Sequence, residues 1–414
     1  MSKRLNLAVA VAVFGLFGTA SVLAAAPPDA CPHKTTKKLD AAFAEVQKAR
    51  EAKNWEEMLA KAKEAAALPI EKNVYDQYLL HEYQGIAYAS LKQYGDAATE
   101  LEASLNSACY PEADKNVRVK VLMQLTYQNK DFDKAIAFGT RHYAATGDLD
   151  TGLYLANAYY IKDDYQNTRK VMSEVITKLE ASGKKPEESA YRILQSACLS
   201  LNDTPCVNDL IEKLVANYPK PEYYHNLVGS LLMVGKSDKE LLNIWRLADG
   251  MGIMNSAAEY IEMADHATAQ GLPGEAQYIL EKGQQAGIFK TQHEKDRATR
   301  GLADAKTAVA LDKSTLDKQD VSARAKPTGD SDVKLGAAYL SYGQNDKAIE
   351  ALQRGIGKGG VKDPDEAGLL LGIAYLRSGN KPEAAKAFRT VTKNPLMARI
   401  AKLWVMNTGE AAAG

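Results

Sequence analysis

The sequence lacks the bulk features of nucleic-acid-binding, disordered and membrane-spanning proteins. Its 52 Lys and Arg residues balance 52 Asp and Glu residues over 414 positions. A phosphate-binding surface needs an excess of cations, and an acidic disordered tail needs an excess of anions. After the N-terminal segment, no apolar stretch reaches the roughly 20 residues of a membrane span. A single core rarely grows past about 250–300 residues, so we expect several domains or an elongated helical repeat array.

Reactive motifs are equally scarce. The six histidines are scattered, and C-x-x-C and G-x-S-x-G strings are missing. Residues 355–360 match G-x-G-x-x-G formally, but no strand precedes them, so we predict a glycine-rich turn between helices. We therefore predict a protein that is not an enzyme, with no catalytic residue, no metal ligand and no cofactor.

Residues 1–24 are predicted to be a signal peptide. Two cations precede an apolar run that extends to about Phe17, and small residues follow it up to Ala24. An uncleaved membrane anchor is the alternative, although the run is short for a span and ends in an Ala-rich cleavage pattern. Cleavage leaves residues 25–37 as an N-terminal extension and a mature chain with no membrane span. The expected location is the bacterial periplasm.

The four cysteines suit an oxidising compartment. Among the three possible pairings we favour Cys198–Cys206, which joins the end of one predicted helix to the start of the next. The remaining pair, Cys31–Cys109, would tie the mature N-terminus to a loop between repeats. Buried free thiols are the alternative.

An internal repeat organises the rest of the chain. LGAAYLSYGQNDKAIEAL begins at Leu335, LGIAYLRSGNKPEAAKAF begins 36 residues later at Leu371, and QGIAYASLKQYGDAATEL contains Gly85. In each copy a Tyr follows the Gly by three residues, an Ala follows it by twelve, and a bulky apolar residue comes four later. A small residue on the first helix lets the second approach closely, so the pattern predicts a helical hairpin.

These hairpins resemble the tetratricopeptide repeat (TPR), a helix–turn–helix of about 34 residues, and the chain resembles exported bacterial TPR proteins. The resemblance implies an all-α fold, an α-solenoid (superhelix) of about nine to ten TPR-like hairpins whose first helices line a concave face. Weaker copies predict further small contact residues on first helices, namely Val46, Met123, Ala156, Gln195, Gly229 and Ala264.

The repeats define the predicted segments. TPR-like repeats occupy residues 38–289, and the two best-matched repeats occupy residues 329–395. Residues 290–328 between them are either a degenerate hairpin or a charged helical linker. Residues 396–414 form an amphipathic helix that caps the last hairpin, followed by a short tail.

A polar and aromatic stripe on the first helices is the candidate surface for a protein or peptide partner. Tyr and amide groups can hydrogen-bond an extended peptide, and Lys or Arg can hold a carboxylate. An ordinary hydrated surface without a ligand is the alternative. The candidate residues are Lys120, Gln124, Tyr127, Asn157, Tyr160, Arg192, Tyr223 and Asn226.

These features favour a non-enzymatic periplasmic scaffold that binds other envelope proteins or peptides, as an assembly or transport accessory factor. The assignment rests on an analogy with other repeat proteins. One alternative is a peptide or small-ligand carrier that uses the concave groove. Another is a regulatory subunit of an enzyme acting on envelope polymers. We expect no nucleic-acid partner.

Overall fold

A computed structural model describes residues 31–409 of the chain. Its regular elements within that range are 21 α-helices and one 3-10 helix, with no strand. The prediction of an all-α α-solenoid is therefore confirmed. The predicted signal peptide, residues 25–30 of the extension that follows it and residues 410–414 of the tail lie outside the described residues.

The chain divides into two compact units, one ending at Leu210 and the other beginning at Ile211. In the first unit, each odd-numbered helix up to α7 packs mainly on the even-numbered helix after it, as hairpins do. The helices of this unit are α1 (Asp40–Glu51), α2 (Trp55–Ala67), α3 (Val74–Ser90), α4 (Tyr94–Leu105), α5 (Lys115–Gln128), α6 (Phe132–Thr146), α7 (Leu149–Ile161), α8 (Tyr165–Ala181), α9 (Glu188–Ser200) and the start of α10 (Thr204–Asn217); the 3-10 helix Glu112–Asp114 precedes α5.

The second unit continues the same plan to the C-terminus. Its helices are α11 (Pro221–Leu232), α12 (Asp238–Gly250), α13 (Ala257–Ala269), α14 (Pro273–Gln285), α15 (Gln292–Lys313), α16 (Leu316–Ala325), α17 (Asp330–Ser341), α18 (Asn345–Lys358), α19 (Pro364–Arg377), α20 (Lys381–Phe388) and α21 (Pro395–Asn407). No helix among residues 31–409 combines the length and apolar character needed to cross a bilayer.

Most turns inside the hairpins share one backbone geometry. The residue before the N-cap of the second helix is left-handed, and the N-cap N–H donates to the carbonyl five residues earlier at 2.9 Å. This is the Schellman arrangement, which satisfies a free carbonyl at the end of the first helix. It occurs at Lys53, Lys92, Lys130, Asp163, Asn202, Gly271, Gly343 and Gly379. The α11–α12 and α15–α16 connections lack it.

The glycines of the three best-matched repeats lie where the two helices of a hairpin touch. A Cβ at these positions would be 2.5 Å or less from a buried side chain of the second helix. The contacts are Gly85 with Leu101, Gly336 with Leu352 and Gly372 with Phe388. The prediction for Gly229 is wrong, because it is exposed and nothing lies within 4 Å of a Cβ placed there.

Alanine should therefore have opposite effects at these two kinds of glycine. Gly372→Ala would place a Cβ 2.3 Å from the ring of Phe388, and such overpacking costs about 1–3 kcal/mol. Gly229→Ala should stabilise the protein by about 0.5–1 kcal/mol, because Ala loses less backbone entropy in an open helix position. Chemical denaturation of both variants measures the difference. Equal effects would contradict the described contact between α19 and α20.

Residues 290–328 form two helices that pack on different neighbours. The 22-residue α15 packs on α13 and α14, whereas the ten-residue α16 packs on α17. Two apolar side chains on these helices stay exposed, Leu311 at 73% and Val321 at 71%. The segment thus contains a helix pair without the usual contact between its members.

The C-terminal helix α21 has more partners than the predicted cap. It packs on α19 and α20 and also on α12, near the start of the same unit. Trp404 stacks on Phe388 with ring centroids 5.8 Å apart, and a Cβ at Gly250 of α12 would lie 2.2 Å from the Trp404 ring. Arg399 forms an ion pair with Glu212. The last helix therefore joins the two ends of the second unit.

A buried charge cluster holds α12, α14 and α19 together. Arg246 donates two hydrogen bonds to Glu275, at 2.8 and 2.6 Å, and lies 3.5 Å from Glu366. Asn243 accepts from Arg246 at 2.9 Å and donates to Glu366 at 2.7 Å. Burial raises the pKa of Glu366. Burial also opposes ionisation of Glu275, but the paired guanidinium holds the pKa of Glu275 below its usual value.

Two disulfides tie local segments of the first unit. The structure joins Cys31 to Cys109 across 78 residues and Cys198 to Cys206 across eight. These are the pairings that the sequence favours, and no free cysteine occurs among the described residues.

Candidate protein-binding surface

Six of the eight candidate residues lie on three first helices of the first unit. Lys120, Gln124 and Tyr127 are on α5, Asn157 and Tyr160 are on α7, and Arg192 is on α9. Within a helix they are three, four or seven residues apart, so they share one face of that helix. The structure separates them into buried, ion-paired and exposed groups.

Tyr127 and Asn157 serve mainly in packing between hairpins. Asn157 is 1% exposed and its amide donates a hydrogen bond to the hydroxyl of Tyr127. The Tyr127 ring packs edge-on against Tyr154 at 5.1 Å and Phe132 at 5.6 Å between centroids, and burial raises its pKa. Asn157 offers no open surface to a peptide, so the prediction that it faces a groove is wrong. Tyr127 is half-buried, and its place on the candidate surface stays a prediction.

Lys120 is occupied by another group of the protein. Its ammonium is ion-paired with Asp148, the N-cap of α7. Burial opposes ionisation of Asp148, but Lys120 and Thr151 together hold its pKa below the usual value. The neighbouring His142 is buried, donates to or accepts from Thr151 at 2.9 Å, and has a pKa lowered by desolvation. Lys120 therefore links α5 to the start of α7, and its ammonium is already paired with a carboxylate of the protein itself.

The open part of the candidate surface lies at α7 and α9. Arg192 is exposed, and Leu199, seven residues further along the same face of α9, is 58% exposed. Ser196 lies between them, and its hydroxyl is 2.9 Å from the hydroxyl of Tyr160 on α7. We call Tyr160, Arg192, Ser196 and Leu199 the α7–α9 stripe. It presents a cation, two hydroxyls and an apolar side chain side by side.

Sequence reasoning missed Ser196 and Leu199. They lie one and four residues after Gln195, and Asn157 and Tyr160 hold the same positions after Ala156. Extending the repeat register to α9 would have identified them. Gln124 is half-buried on α5, at the equivalent position after Met123.

Tyr223 and Asn226 belong to α11 of the second unit. Tyr223 is 4% exposed, and the ammonium of Lys220 lies 5.9 Å from the centroid of its ring. The prediction that Tyr223 is a groove residue is therefore wrong, since its ring is core. Asn226 is exposed.

The described residues contain one grouping of potential metal ligands. Cys198, Asp203 and Cys206 place their ligand atoms within 4.8 Å of one another. Both sulfurs are joined in the disulfide, and Asp203 accepts from the Cys206 N–H at 3.2 Å and is ion-paired with Arg169. A thiolate is the form of cysteine that binds metals, so the disulfide form offers no such site.

The comparison with protein families identifies one hairpin directly. Residues 366–395, which contain most of α19 and all of α20, match the family model of the tetratricopeptide repeat. This hairpin is a tetratricopeptide repeat. The same Gly–Tyr–Ala pattern recurs in α17–α18 and α3–α4, so the resemblance to TPR proteins extends to both units. No curated protein matches the chain in sequence.

Several solved structures share the helical-repeat architecture at low identity. A tetratricopeptide repeat protein from Parabacteroides merdae is 11% identical, with a TM-score of 0.30, covering 79% of this chain and 98% of that one. The C-terminal part of a TPR-containing protein from Cytophaga hutchinsonii is 13% identical, with a TM-score of 0.31, covering 86% and 98%. The Naa15/Naa10 complex bound to HypK-THB is 15% identical, with a TM-score of 0.39, covering 89% of this chain and 63% of that one. Likeness at this level carries no information on partners or activity.

Proposed function

We propose that this chain is an exported, non-catalytic scaffold of the bacterial cell envelope that binds a partner protein on its first unit. The observation that carries the proposal is the α7–α9 stripe, where Arg192 and Leu199 remain exposed beside the Tyr160–Ser196 hydroxyl pair. Other candidate polar groups, Lys120 on α5 and Asn157 on α7, are already used inside the protein. An exposed arginine and a large apolar residue are typical anchors of protein interfaces.

The chemistry of the stripe indicates an acidic, partly apolar partner segment. Arg192 forms no ion pair within the described residues, so its guanidinium is available to a carboxylate. Leu199 lies two helical turns from Arg192 and can pack against an apolar side chain of the partner. The hydroxyls of Tyr160 and Ser196 between them can bind the partner's peptide backbone. Export is supported by the pattern of residues 1–24 and by an oxidising environment suited to the two disulfides.

Photocrosslinking in cells tests this proposal. A photoreactive benzoylphenylalanine at Leu199 should capture a discrete partner. In the crosslinked product, the chain that carries the photoreactive residue should begin near Ala25, and the product should come from the periplasmic fraction. Arg192→Glu should reduce the capture at least about tenfold, whereas Arg192→Lys should retain most of it.

The matched control places the same photoreactive residue at Lys170, an exposed position on α8. It should capture little of the Leu199 partner. If capture at Leu199 survives Arg192→Glu, or occurs equally from Lys170, the stripe is not the binding surface. Retention of the chain in the cytoplasm would contradict the envelope role.

A further inference from the structure

The two ends of the α7–α9 stripe lie a fixed distance apart on one helix. Arg192 and Leu199 are both exposed, and both belong to the continuous helix α9. They are seven residues apart, which is about 10.5 Å along the axis of an α-helix. Seven residues are also close to two full turns, so both side chains leave the same face of α9. A partner segment that engages both must therefore present a carboxylate and an apolar side chain about 10 Å apart on one of its own faces.

The hydroxyl pair between these two residues adds a requirement for the backbone of the partner. Tyr160 and Ser196 are half-buried, and their hydroxyl oxygens are 2.9 Å apart. One hydroxyl proton is used within the pair, so the other proton and the remaining lone pairs can face a ligand. A donor beside acceptors matches the C=O and N–H groups of a peptide. The segment that crosses the stripe should therefore have backbone groups that are not already bonded.

One regular backbone conformation meets both requirements. In a polyproline II segment, residues three positions apart share a face, lie about 9.3 Å apart and keep their backbone groups free. In a β-strand, residues that share a face are two or four positions apart, at about 6.8 or 13.6 Å, and both distances miss the target by about 3 Å or more. An α-helix matches the distance at seven positions, but its N–H and C=O groups bond to each other.

We propose that the α7–α9 stripe recognises a polyproline II segment in which an acidic residue and a large apolar residue are three positions apart. The acidic side chain pairs with Arg192, the apolar side chain packs on Leu199, and the backbone between them hydrogen-bonds to Tyr160 and Ser196. This inference rests on the proposed protein-binding function, and it adds the conformation of the partner segment and the spacing of its two side chains.

Isothermal titration calorimetry of the full chain with capped synthetic octapeptides tests the spacing. Each probe carries one Glu and one Leu, two, three or four positions apart, in a background of Gly and Ala. The peptide with a spacing of three should bind at least about fivefold more tightly than the other two, because only it engages both Arg192 and Leu199. Pro directly before the Leu should preserve or strengthen its binding, because Pro favours the polyproline II conformation.

A longer Ala-rich peptide with Glu and Leu seven positions apart represents a helical partner. It should bind at least about fivefold more weakly than the octapeptide with a spacing of three, because its backbone cannot bond to the hydroxyl pair. A central Pro, which breaks a helix, should not weaken it further. Tighter binding of this peptide, lost on introduction of the Pro, would favour a helical partner.

Variants of the protein test the role of each group. Arg192→Glu should weaken the Glu–Leu peptide at least about tenfold and should bind the matching Lys–Leu peptide instead. Tyr160→Phe removes one hydroxyl of the pair and should weaken the Glu–Leu peptide about fivefold. Tyr278→Phe is the matched control, because Tyr278 is 46% exposed in the second unit, and it should leave binding unchanged.

Four results would overturn this inference. These are equal binding at all three spacings, tighter binding of the helical probe, unchanged binding in Arg192→Glu, and no binding of any probe at concentrations up to about 1 mM. The proposed function is tested separately, by photocrosslinking from Leu199. Capture of a partner there, without a preference for a spacing of three, would support the scaffold role and reject the polyproline II motif.

Discussion

Arg246→Met is expected to destabilise the second unit by about 3–5 kcal/mol. The substitution keeps an apolar stem of similar length but removes the guanidinium between Glu275 and Glu366. Both carboxylates would remain buried without their cation, which is far more costly than the loss of one hydrogen bond. Chemical denaturation, monitored by tryptophan fluorescence, measures this change in the free energy of unfolding. A Trp55→Phe background removes the only tryptophan of the first unit, so Trp245 and Trp404 report on the second.

The difference in stability between Arg246→Met and the wild type should depend on pH. In the wild type, Arg246 holds the folded-state pKa of Glu275 below its ordinary value. The contribution of this pair to the free energy of unfolding is therefore lost as pH falls through that pKa. In Arg246→Met, burial without the cation should raise the pKa of both glutamates. The variant is then most stable at low pH and loses stability as pH rises. The deficit relative to wild type should therefore grow between pH 4 and 7.

Glu366→Gln is the matched control. It removes the glutamate whose pKa is raised by burial, and the Gln carbonyl can still accept from Asn243. Its stability relative to wild type should rise with pH, because the wild type loses stability as Glu366 ionises. At neutral pH the change should stay within about 1 kcal/mol. A large loss in this control, or none in Arg246→Met, would contradict the described pairing.

Trp404→Ala is expected to cost about 3–5 kcal/mol, which is typical of a buried tryptophan. The side chain is 3% exposed, stacks on Phe388 and fills the space over Gly250. Its loss should free α21 from α12 as well as from the last repeat. Limited proteolysis should then cut within residues 395–407, and denaturation should show the loss of stability.

Two further substitutions on α21 test whether the loss in Trp404→Ala comes from the packing of the Trp404 ring. Trp404→Phe should cost much less than Trp404→Ala, because it keeps a ring on Phe388 and the indole N–H has no hydrogen-bond partner to lose. Asn407→Ala changes an exposed residue of the same helix and should stay within about 0.5 kcal/mol. If Trp404→Ala behaves like Asn407→Ala, α21 does not pack on α12 in solution.

The candidate surface was only partly accessible to sequence reasoning. The repeat register correctly placed Lys120, Tyr127 and Asn157 on first helices, but register does not tell whether a polar side chain is free. Asp148, the partner of Lys120, lies 28 residues away, and Tyr127 and Asn157 lie 30 residues apart. Such pairings depend on how neighbouring hairpins stack.

The sequence by itself determined the hairpins, because a hairpin is made by residues less than about 20 positions apart. A Gly, a Tyr and an Ala at set spacings are enough to predict two touching helices, and a local turn joins them. Only the tertiary structure decided which residues close the second unit. Arg246 meets Glu366 across 120 residues, and Trp404 meets Gly250 through a helix that the pattern assigns to the last repeat alone. Gly229 and Gly372 have equivalent places in the pattern, yet only Gly372 faces a neighbouring helix, since stacking and not spacing sets what lies opposite each residue.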